Sequence, residues 1–185
     1  MKTADLDEIA WRLGRRLLAS GAVIVTAESC TGGLIARALT ERSGSSAWFD
    51  RGFITYSNNA KIQMLGVSAA LLEQHGAVSE PCARAMASGA VQSAGARRLC
   101  LAISVTGIAG PTGAVLGKPV GTICFGAALA REGAVLRHEA TTRFLSGDRE
   151  SVRHQAALFA LGFVARLLEG ESSSADGDSQ PTLLA

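Results

Sequence analysis

Residues 22–33 read Ala-Val-Ile-Val-Thr-Ala-Glu-Ser-Cys-Thr-Gly-Gly and carry the strongest fold signal in the chain. The β-branched run at 22–27 predicts a buried strand, and the polar and glycine residues at 28–33 predict a tight turn. A helical segment from about Leu34 to Arg42 follows. A strand, a turn and a helix N-terminus in this order are typical of an open α/β sheet that binds ligands at the carboxyl ends of its strands.

The same alternation of strands and helices continues on both sides of this stretch. An amphipathic helix opens the chain at 5–19, where apolar residues recur at helical spacing. Further strands are predicted near 52–56, 99–105, 120–130 and 134–142, and further helices at 59–65, around Leu71, at 79–95 and at 148–168. The short connection 131–133 indicates an antiparallel hairpin. The predicted fold is an α/β protein, a three-layer α/β/α sandwich with a mixed, mostly parallel sheet of about five strands.

The length of 185 residues predicts one domain, 1–168, followed by a Ser-, Gly- and Asp-rich tail, 169–185, that we expect to be disordered. No window approaches the roughly 18–20 uninterrupted apolar residues that span a bilayer. The acidic start, 1–8, lacks the pattern of a secretory signal. We therefore expect a soluble, cytoplasmic protein with no membrane partner. The net charge of +2 is too small to suggest a nucleic-acid partner.

The cysteine and histidine pattern argues against a structural zinc site and against a disulfide framework. No Cys-x-x-Cys spacing occurs, and the relevant residues are Cys30, Cys82, Cys100, Cys124, His75, His138 and His154. We expect reduced, mostly buried thiols, no metal and no cofactor.

Three polar loops are predicted to meet at one edge of the sheet, namely 28–33, 56–61 and 106–113. They contain hydroxyls, one carboxylate, one amine and several glycines, but no histidine. This set excludes a Ser-His-Asp triad built from these loops and permits activation of a hydroxyl by a lysine. Lys61 is the candidate base, because the other two lysines lie near the N-terminus, Lys2, and after a glycine loop, Lys118.

Each of these residues also has a structural interpretation. Ser29 or Thr31 could cap the following helix, and Glu28 could satisfy backbone donors at that same helix start. The glycines of the third loop could be present only because the backbone adopts a positive φ there. A lysine at a helix start is commonly a surface residue. The convergence of three such loops favours the functional interpretation.

At these residues the chain closely resembles the CinA C-terminal-domain family. The matching stretches span about Leu6 to Leu168 and comprise 26–33, 44–49, 52–58 with Lys61, 76–80, 106–111, 118–122 and 147–149. The resemblance implies hydrolysis of the carboxamide of nicotinamide mononucleotide to nicotinic acid mononucleotide and ammonia. It implies a serine and lysine pair, with Lys61 as the general base, and no metal. We expect a homo-oligomer that acts on this small nucleotide substrate.

Two serines remain candidates for the nucleophile. Ser29 follows one strand as Lys61 follows the next, whereas Ser46 precedes that second strand. A strand of nine residues rises roughly 30 Å, which would separate Ser46 from Lys61 unless the connector folds back or another subunit contributes. The family resemblance instead favours the motif Gly44-Ser45-Ser46.

The remaining roles follow from the charge of the implied substrate. Backbone N–H groups near Thr106 and Gly107, or the Tyr56 hydroxyl, are candidates to receive an oxyanion. Candidates for phosphate are Arg149 and the helix start at Gly32 and Gly33. Glu28, Thr31, Ser45 and Gly110 complete the expected substrate-binding set. The chain departs from the family's glycine run at 112–116, so this loop is expected to be less polar.

The alternative function belongs to another class. A domain of this family could serve as a non-catalytic regulatory or binding module in the competence and DNA-damage processes from which the family takes its name. Retention of the five candidate catalytic residues argues against that reading, because a pure binder needs none of this chemistry. These residues are Ser29, Ser46, Tyr56, Lys61 and Thr106.

Overall fold

The computed structural model describes residues 3–95 and 99–172 of the chain. In these residues strands and helices alternate as the sequence predicts. The helices are α1 Thr3–Ala19, α2 Leu34–Thr40, α3 Asn58–Leu65, α4 Ala69–His75, α5 Glu80–Ala94 and α6 Arg149–Ser172. The strands are β1 Val23–Glu28, β2 Phe49–Ile54, β3 Cys100–Gly107, β4 Thr122–Arg131 and β5 Ala134–Phe144. A short 3-10 turn, Ser45–Ala47, precedes β2.

The five strands form one sheet in the order β2-β1-β3-β4-β5. Strand β1 lies parallel to both β2 and β3, whereas β4 is antiparallel to β3 and to β5. Only β4 is therefore reversed, and the prediction of a mixed, mostly parallel sheet is confirmed. In register, Glu28 lies beside Ile54 on β2 and beside Val105 on β3. The carboxyl ends of β1, β2 and β3 consequently meet at one edge.

Helices cover both faces of the sheet, which confirms the predicted three-layer sandwich. Helices α1, α2 and α6 enclose a core that includes Ile24 and Phe125. On the other face α5, with α3 and α4 beside it, encloses a core that includes Val25 and Met86. Every residue of β1 is buried, as expected for a parallel strand with both faces covered.

Helix α5 packs so closely on the sheet that a side chain at one position of β4 has no room. A Cβ added at Gly126 would collide with the carbonyl oxygen of Ala83 on α5. This close approach brings the connection between α4 and α5 to the edge where β3 ends, because Thr106 on β3 bonds the carbonyl of Ala77.

The largest differences from the predicted element boundaries are at β2 and α6. Strand β2 begins at Phe49 rather than Gly52 and ends before Tyr56, because the hydroxyl of Ser57 accepts the N–H of Ala60 and starts α3 there. Helix α6 continues past the predicted end at 168 to Ser172, so four residues of the expected disordered tail are helical. Residues 173–185 of that tail lie outside the described residues. Within the described ranges, none of the helices is long and apolar enough to cross a membrane.

Candidate active site

Loops from the three aligned strand ends surround a cavity of about 320 Å³. The loop after β1, the loop after β2 and the loop after β3 each form part of the wall, and the first residue of α6 closes one side. The lining residues are Ser29, Cys30, Tyr56, Lys61, Ala77, Val78, Thr106, Gly107, Ile108, Ala109, Gly110, Thr112, Gly113 and Arg149. Seven of the predicted site residues therefore share one cavity, namely Ser29, Tyr56, Lys61, Thr106, Gly107, Gly110 and Arg149.

A hydrogen bond between a lysine amine and a serine hydroxyl lies in the wall of this cavity. The Nζ of Lys61 lies 3.1 Å from the Oγ of Ser29, and it also donates to the carbonyls of Thr55 at 2.8 Å and Tyr56 at 3.3 Å. Lys61 is only 1% exposed, and Ser29 is 7% exposed. Lys61 is therefore a core residue whose amine touches the cavity, and the interpretation as a surface lysine is wrong.

The surroundings of Lys61 favour the neutral amine. Its three hydrogen-bond partners are uncharged, and burial lowers the pKa of Lys61 below its ordinary value. The buried carboxylate of Glu28 directs its oxygens to the start of α2 instead. A lysine with a lowered pKa next to a hydroxyl can accept the hydroxyl proton, which is what general-base activation requires.

Glu28 accepts the free backbone N–H groups at the start of α2, as the structural interpretation of this residue predicts. Its carboxylate accepts the backbone N–H groups of Gly33 at 3.0 Å, Ile35 at 3.2 Å and Ala36 at 2.8 Å. The N–H of Gly32 donates to the carbonyl of Ser29. These donors are already used, and a fixed carboxylate repels a phosphate. The prediction of a phosphate site at Gly32 and Gly33 is therefore wrong.

The two glycines have a conformational role in the same turn. Both have positive φ, 61° at Gly32 and 92° at Gly33, which reverses the chain directly after Ser29. Thr31 is completely buried behind the turn, and its carbonyl accepts a hydrogen bond from Arg153 at 2.7 Å. Neither glycine nor Thr31 lines the cavity.

Arg149 forms the rim of the cavity together with Tyr56. Its guanidinium donates to the carbonyl of Gly110 at 2.8 Å and to the Tyr56 hydroxyl at 3.2 Å. Tyr56 is 63% exposed, so the pair stands at the opening. A positive charge is thus fixed at the mouth of the cavity, at the residue that the sequence analysis named as a candidate for phosphate.

Thr106 takes part in the wall rather than offering a free hydroxyl. It is 1% exposed, and its Oγ1 donates to the carbonyl of Ala77 at 2.9 Å. Ala77 and Val78 themselves line the cavity, a placement that the sequence analysis missed. The signal was available, because both residues fall in the matching stretch 76–80.

Cys30 is the second lining residue that the sequence analysis left without a role. It follows Ser29 directly, and burial raises the pKa of its thiol to about 12. The thiol therefore stays protonated near neutral pH and does not compete with Ser29 as a nucleophile. All four cysteines are free and buried, as expected. In residues 3–95 and 99–172 no three His, Cys, Asp or Glu side chains are arranged to hold a metal ion.

Ser45 and Ser46 lie at the other end of the sheet. They form the 3-10 turn that enters β2, whereas Lys61 follows the exit from β2. A six-residue strand rises roughly 20 Å, and neither serine lines the cavity. Within one chain the structure thus brings Lys61 to Ser29 and not to Ser46.

The fold and this site define an α/β sandwich with a buried serine–lysine pair at the carboxyl ends of parallel strands. The model of the CinA C-terminal domain matches residues 6–168, so the chain belongs to the CinA C-terminal domain family. The family predicted from the sequence is confirmed.

Individual relatives agree with this assignment. The chain is 54% identical over 161 residues to nicotinamide-nucleotide amidohydrolase PncC of Enterobacter agglomerans, covering 87% of this chain and 94% of that one. It is 50% identical over 161 residues to the protein of the same name from Escherichia coli K12, covering 87% and 93%. Among solved structures, the competence/damage inducible protein CihA from Agrobacterium tumefaciens superposes with a TM-score of 0.80 at 43% identity, covering 91% and 98%.

Proposed function

We propose that this chain is a nicotinamide-nucleotide amidohydrolase, which converts nicotinamide mononucleotide and water to nicotinic acid mononucleotide and ammonia. The observation that carries the proposal is the buried hydrogen bond from Lys61 to Ser29, 3.1 Å long and without a charged partner. The names of two relatives at 50% identity or more supply the substrate class. We also propose that the enzyme is cytoplasmic and homo-oligomeric. Size-exclusion chromatography would test the oligomeric state.

In the first step, Ser29 attacks the carbon of the carboxamide. The Oγ–C bond forms while the hydroxyl proton moves to the neutral Nζ of Lys61. The carbonyls of Thr55 and Tyr56 hold the resulting ammonium in place, since both already accept hydrogen bonds from Nζ. Lys61 then returns the proton to the departing nitrogen, the C–N bond breaks, and ammonia leaves an ester on Ser29.

In the second step, water replaces the nitrogen. Lys61 takes a proton from the attacking water, the ester bond to Ser29 breaks, and the Ser29 oxygen recovers its proton. The products are the free enzyme and nicotinic acid mononucleotide, whose new carboxylic acid gives its proton to the released ammonia or to solvent. One lysine thus acts as base and acid in turn, which requires a pKa below the ordinary value of a lysine.

Tyr56 is the proposed donor to the oxyanion that forms during both steps. Its hydroxyl accepts a hydrogen bond from Arg149, so its own proton remains free to point into the cavity. Thr106 contributes by position only, because its hydroxyl donates to Ala77. Tyr56→Phe should therefore reduce turnover while leaving the fold intact.

The site disfavours the alternative of a non-catalytic binding module. Burying a lysine amine without a carboxylate partner destabilises the fold, and a binding module gains nothing from that arrangement. A lowered pKa for Lys61, beside the Ser29 hydroxyl, suits proton transfer.

Ammonia release from nicotinamide mononucleotide tests the proposal directly. The wild-type protein should turn over, Ser29→Ala should lose activity by orders of magnitude, and the matched control Ser46→Ala should retain it. Tight nucleotide binding without ammonia release would instead support the binding module. Loss of activity in Ser46→Ala but not in Ser29→Ala would assign the nucleophile to a serine from a partner subunit.

A further inference from the structure

A second cavity of about 480 Å³ lies beside the first, between α2 and the start of α6. Its walls come from Leu34, Arg37, Arg149, Glu150, Arg153 and His154. We call it the arginine pocket. Arg149 lines both cavities, so its side chain forms the wall that they share.

The arginine pocket concentrates positive charge. Three guanidinium groups face one carboxylate there, in a chain whose net charge is only +2. The guanidinium fork matches the oxygens of a phosphate and binds them with charge-assisted hydrogen bonds. The lining therefore fits a small anion of high charge.

Two lining arginines have hydrogen-bond donors available for a ligand. Arg153 uses its Nε and one terminal nitrogen on the carbonyls of Cys30 and Thr31, at 3.1 and 2.7 Å, which leaves its other terminal nitrogen. Arg37 pairs with Glu41 at 3.0 Å, but both side chains are nearly half-exposed, and such pairs are weak. The Nε2 of His154 is buried without a hydrogen-bond partner among the described residues and has no surface open to the pocket, so His154 contributes wall rather than a contact.

The first cavity is a poor place for a phosphate. A dianion next to Lys61 would favour the charged ammonium and raise its pKa, which opposes the role of a base. Placing the phosphate beyond Arg149 keeps it away from the amine. The same arginine would then screen the catalytic cavity from the phosphate charge.

We infer that the arginine pocket is the subsite for the phosphate of the nucleotide substrate, an inference that rests on the proposed function. The carboxamide enters the first cavity at Ser29, and the phosphomonoester enters the second, with Arg149 between them. Because Arg153 also holds the two residues that follow Ser29, phosphate binding is linked directly to the turn that carries the nucleophile.

The test compares two substrates that differ only in the phosphate, nicotinamide mononucleotide and nicotinamide riboside. Arg37→Gln should lower kcat/KM for the mononucleotide by roughly ten- to a hundred-fold, the size expected for loss of one charge-assisted contact, and should leave the riboside unaffected. For Arg37→Lys, kcat/KM with the mononucleotide should fall between the wild-type and the Arg37→Gln values. Arg12→Gln removes the same charge from an exposed arginine on α1 that pairs with Glu8, and it should change neither substrate. Arg153 is unsuited to this test, because its loss would disturb the Ser29 turn itself.

Inorganic phosphate provides a second measurement. It should compete with the mononucleotide but not with the riboside, and Arg37→Gln should weaken its inhibition. Equal loss of both substrates in Arg37→Gln, or phosphate that competes with both substrates, would overturn the subsite. If the wild type releases ammonia from neither substrate, the proposed function fails. Calorimetry with inorganic phosphate then tests the pocket alone, and equal affinity in wild type, Arg37→Gln and Arg12→Gln would overturn it.

Discussion

Two serine-containing turns lie at opposite ends of the sheet, one after β1 and one before β2, and they differ in burial and in their neighbouring groups. The turn after β1 places Ser29 at 7% exposure with a lysine amine 3.1 Å from its hydroxyl. The turn before β2 leaves Ser46 exposed to solvent. Both turns match family motifs, so the motif alone does not identify a nucleophile. The neighbouring groups favour Ser29 as the nucleophile in the proposed mechanism.

The second turn has a structural role of its own. It leads directly into Trp48, which is 5% exposed and donates its indole N–H to the carbonyl of Leu39 at 3.1 Å. The indole ring lies so close to Gly14 on α1 that no side chain fits there. The motif at 44–49 therefore joins α1, α2 and β2, whereas the motif at 26–33 contributes Ser29 and Cys30 to the candidate site.

The largest expected effect comes from removing the base at the Ser29 turn. Lys61→Arg and Lys61→Met should each lower kcat by roughly 10²–10⁴-fold, because arginine cannot release its proton near neutral pH and methionine has none to exchange. KM should change little, because the phosphate contacts are assigned elsewhere. Steady-state kinetics with ammonia detection measures this. Near-normal turnover in Lys61→Arg would make Lys61 a charge partner and contradict its role as a base.

The pH profile separates the base from a simple positive charge. Because burial lowers the pKa of Lys61, the wild-type rate should rise with pH through that lowered pKa and then level. The unfolded chain binds more protons than the folded one between the lowered and the ordinary pKa, so stability should also rise with pH across that window. Turnover rates and urea unfolding midpoints, measured across the alkaline range, test the expected rise in rate and the expected rise in stability. Neither rise should be present in Lys61→Met.

A smaller effect is expected at the carboxylate that supports the Ser29 turn. Glu28→Gln replaces an acceptor of three backbone N–H groups by an amide that has one oxygen and directs N–H donors at them. We expect a loss of about 2 kcal/mol or more in unfolding free energy. Urea denaturation measures it, with Glu73→Gln, at an exposed glutamate on α4, as the control of equal charge. Unchanged stability would show that the turn does not depend on Glu28.

The smallest effect should come from the turn before β2. Ser45→Ala and Ser46→Ala should each change stability by less than about 0.5 kcal/mol, the range typical of surface sites. Turnover should remain at the wild-type level. In contrast, Trp48→Phe should lose about 1–3 kcal/mol of stability with kcat unchanged, since it removes a buried hydrogen bond and leaves a void. A loss of turnover in Ser46→Ala would remove the distinction between the two turns.

Most of the architecture was predictable because local patterns carry it. Apolar periodicity, glycines and caps identified every helix and strand of the described chain, and the β-branched run at 22–27 indicated a buried strand. The boundary of β2 was not predictable, since it depends on where Ser57 starts α3. The turn at 28–33 was located correctly but misassigned in part. Whether its N–H groups serve Glu28 or a phosphate depends on the direction of one side chain.

Sequence by itself determined the family, the order of elements and the edge of the sheet where the site lies, because strand ends and loop chemistry are local properties. Tertiary structure alone decided that Lys61 meets Ser29 rather than Ser46, since this depends on the alignment of β1 and β2. It also decided that Arg149 and Arg153, on α6, reach the loops around β1. Such contacts join residues more than 90 positions apart, and no pattern within a short window of sequence encodes them.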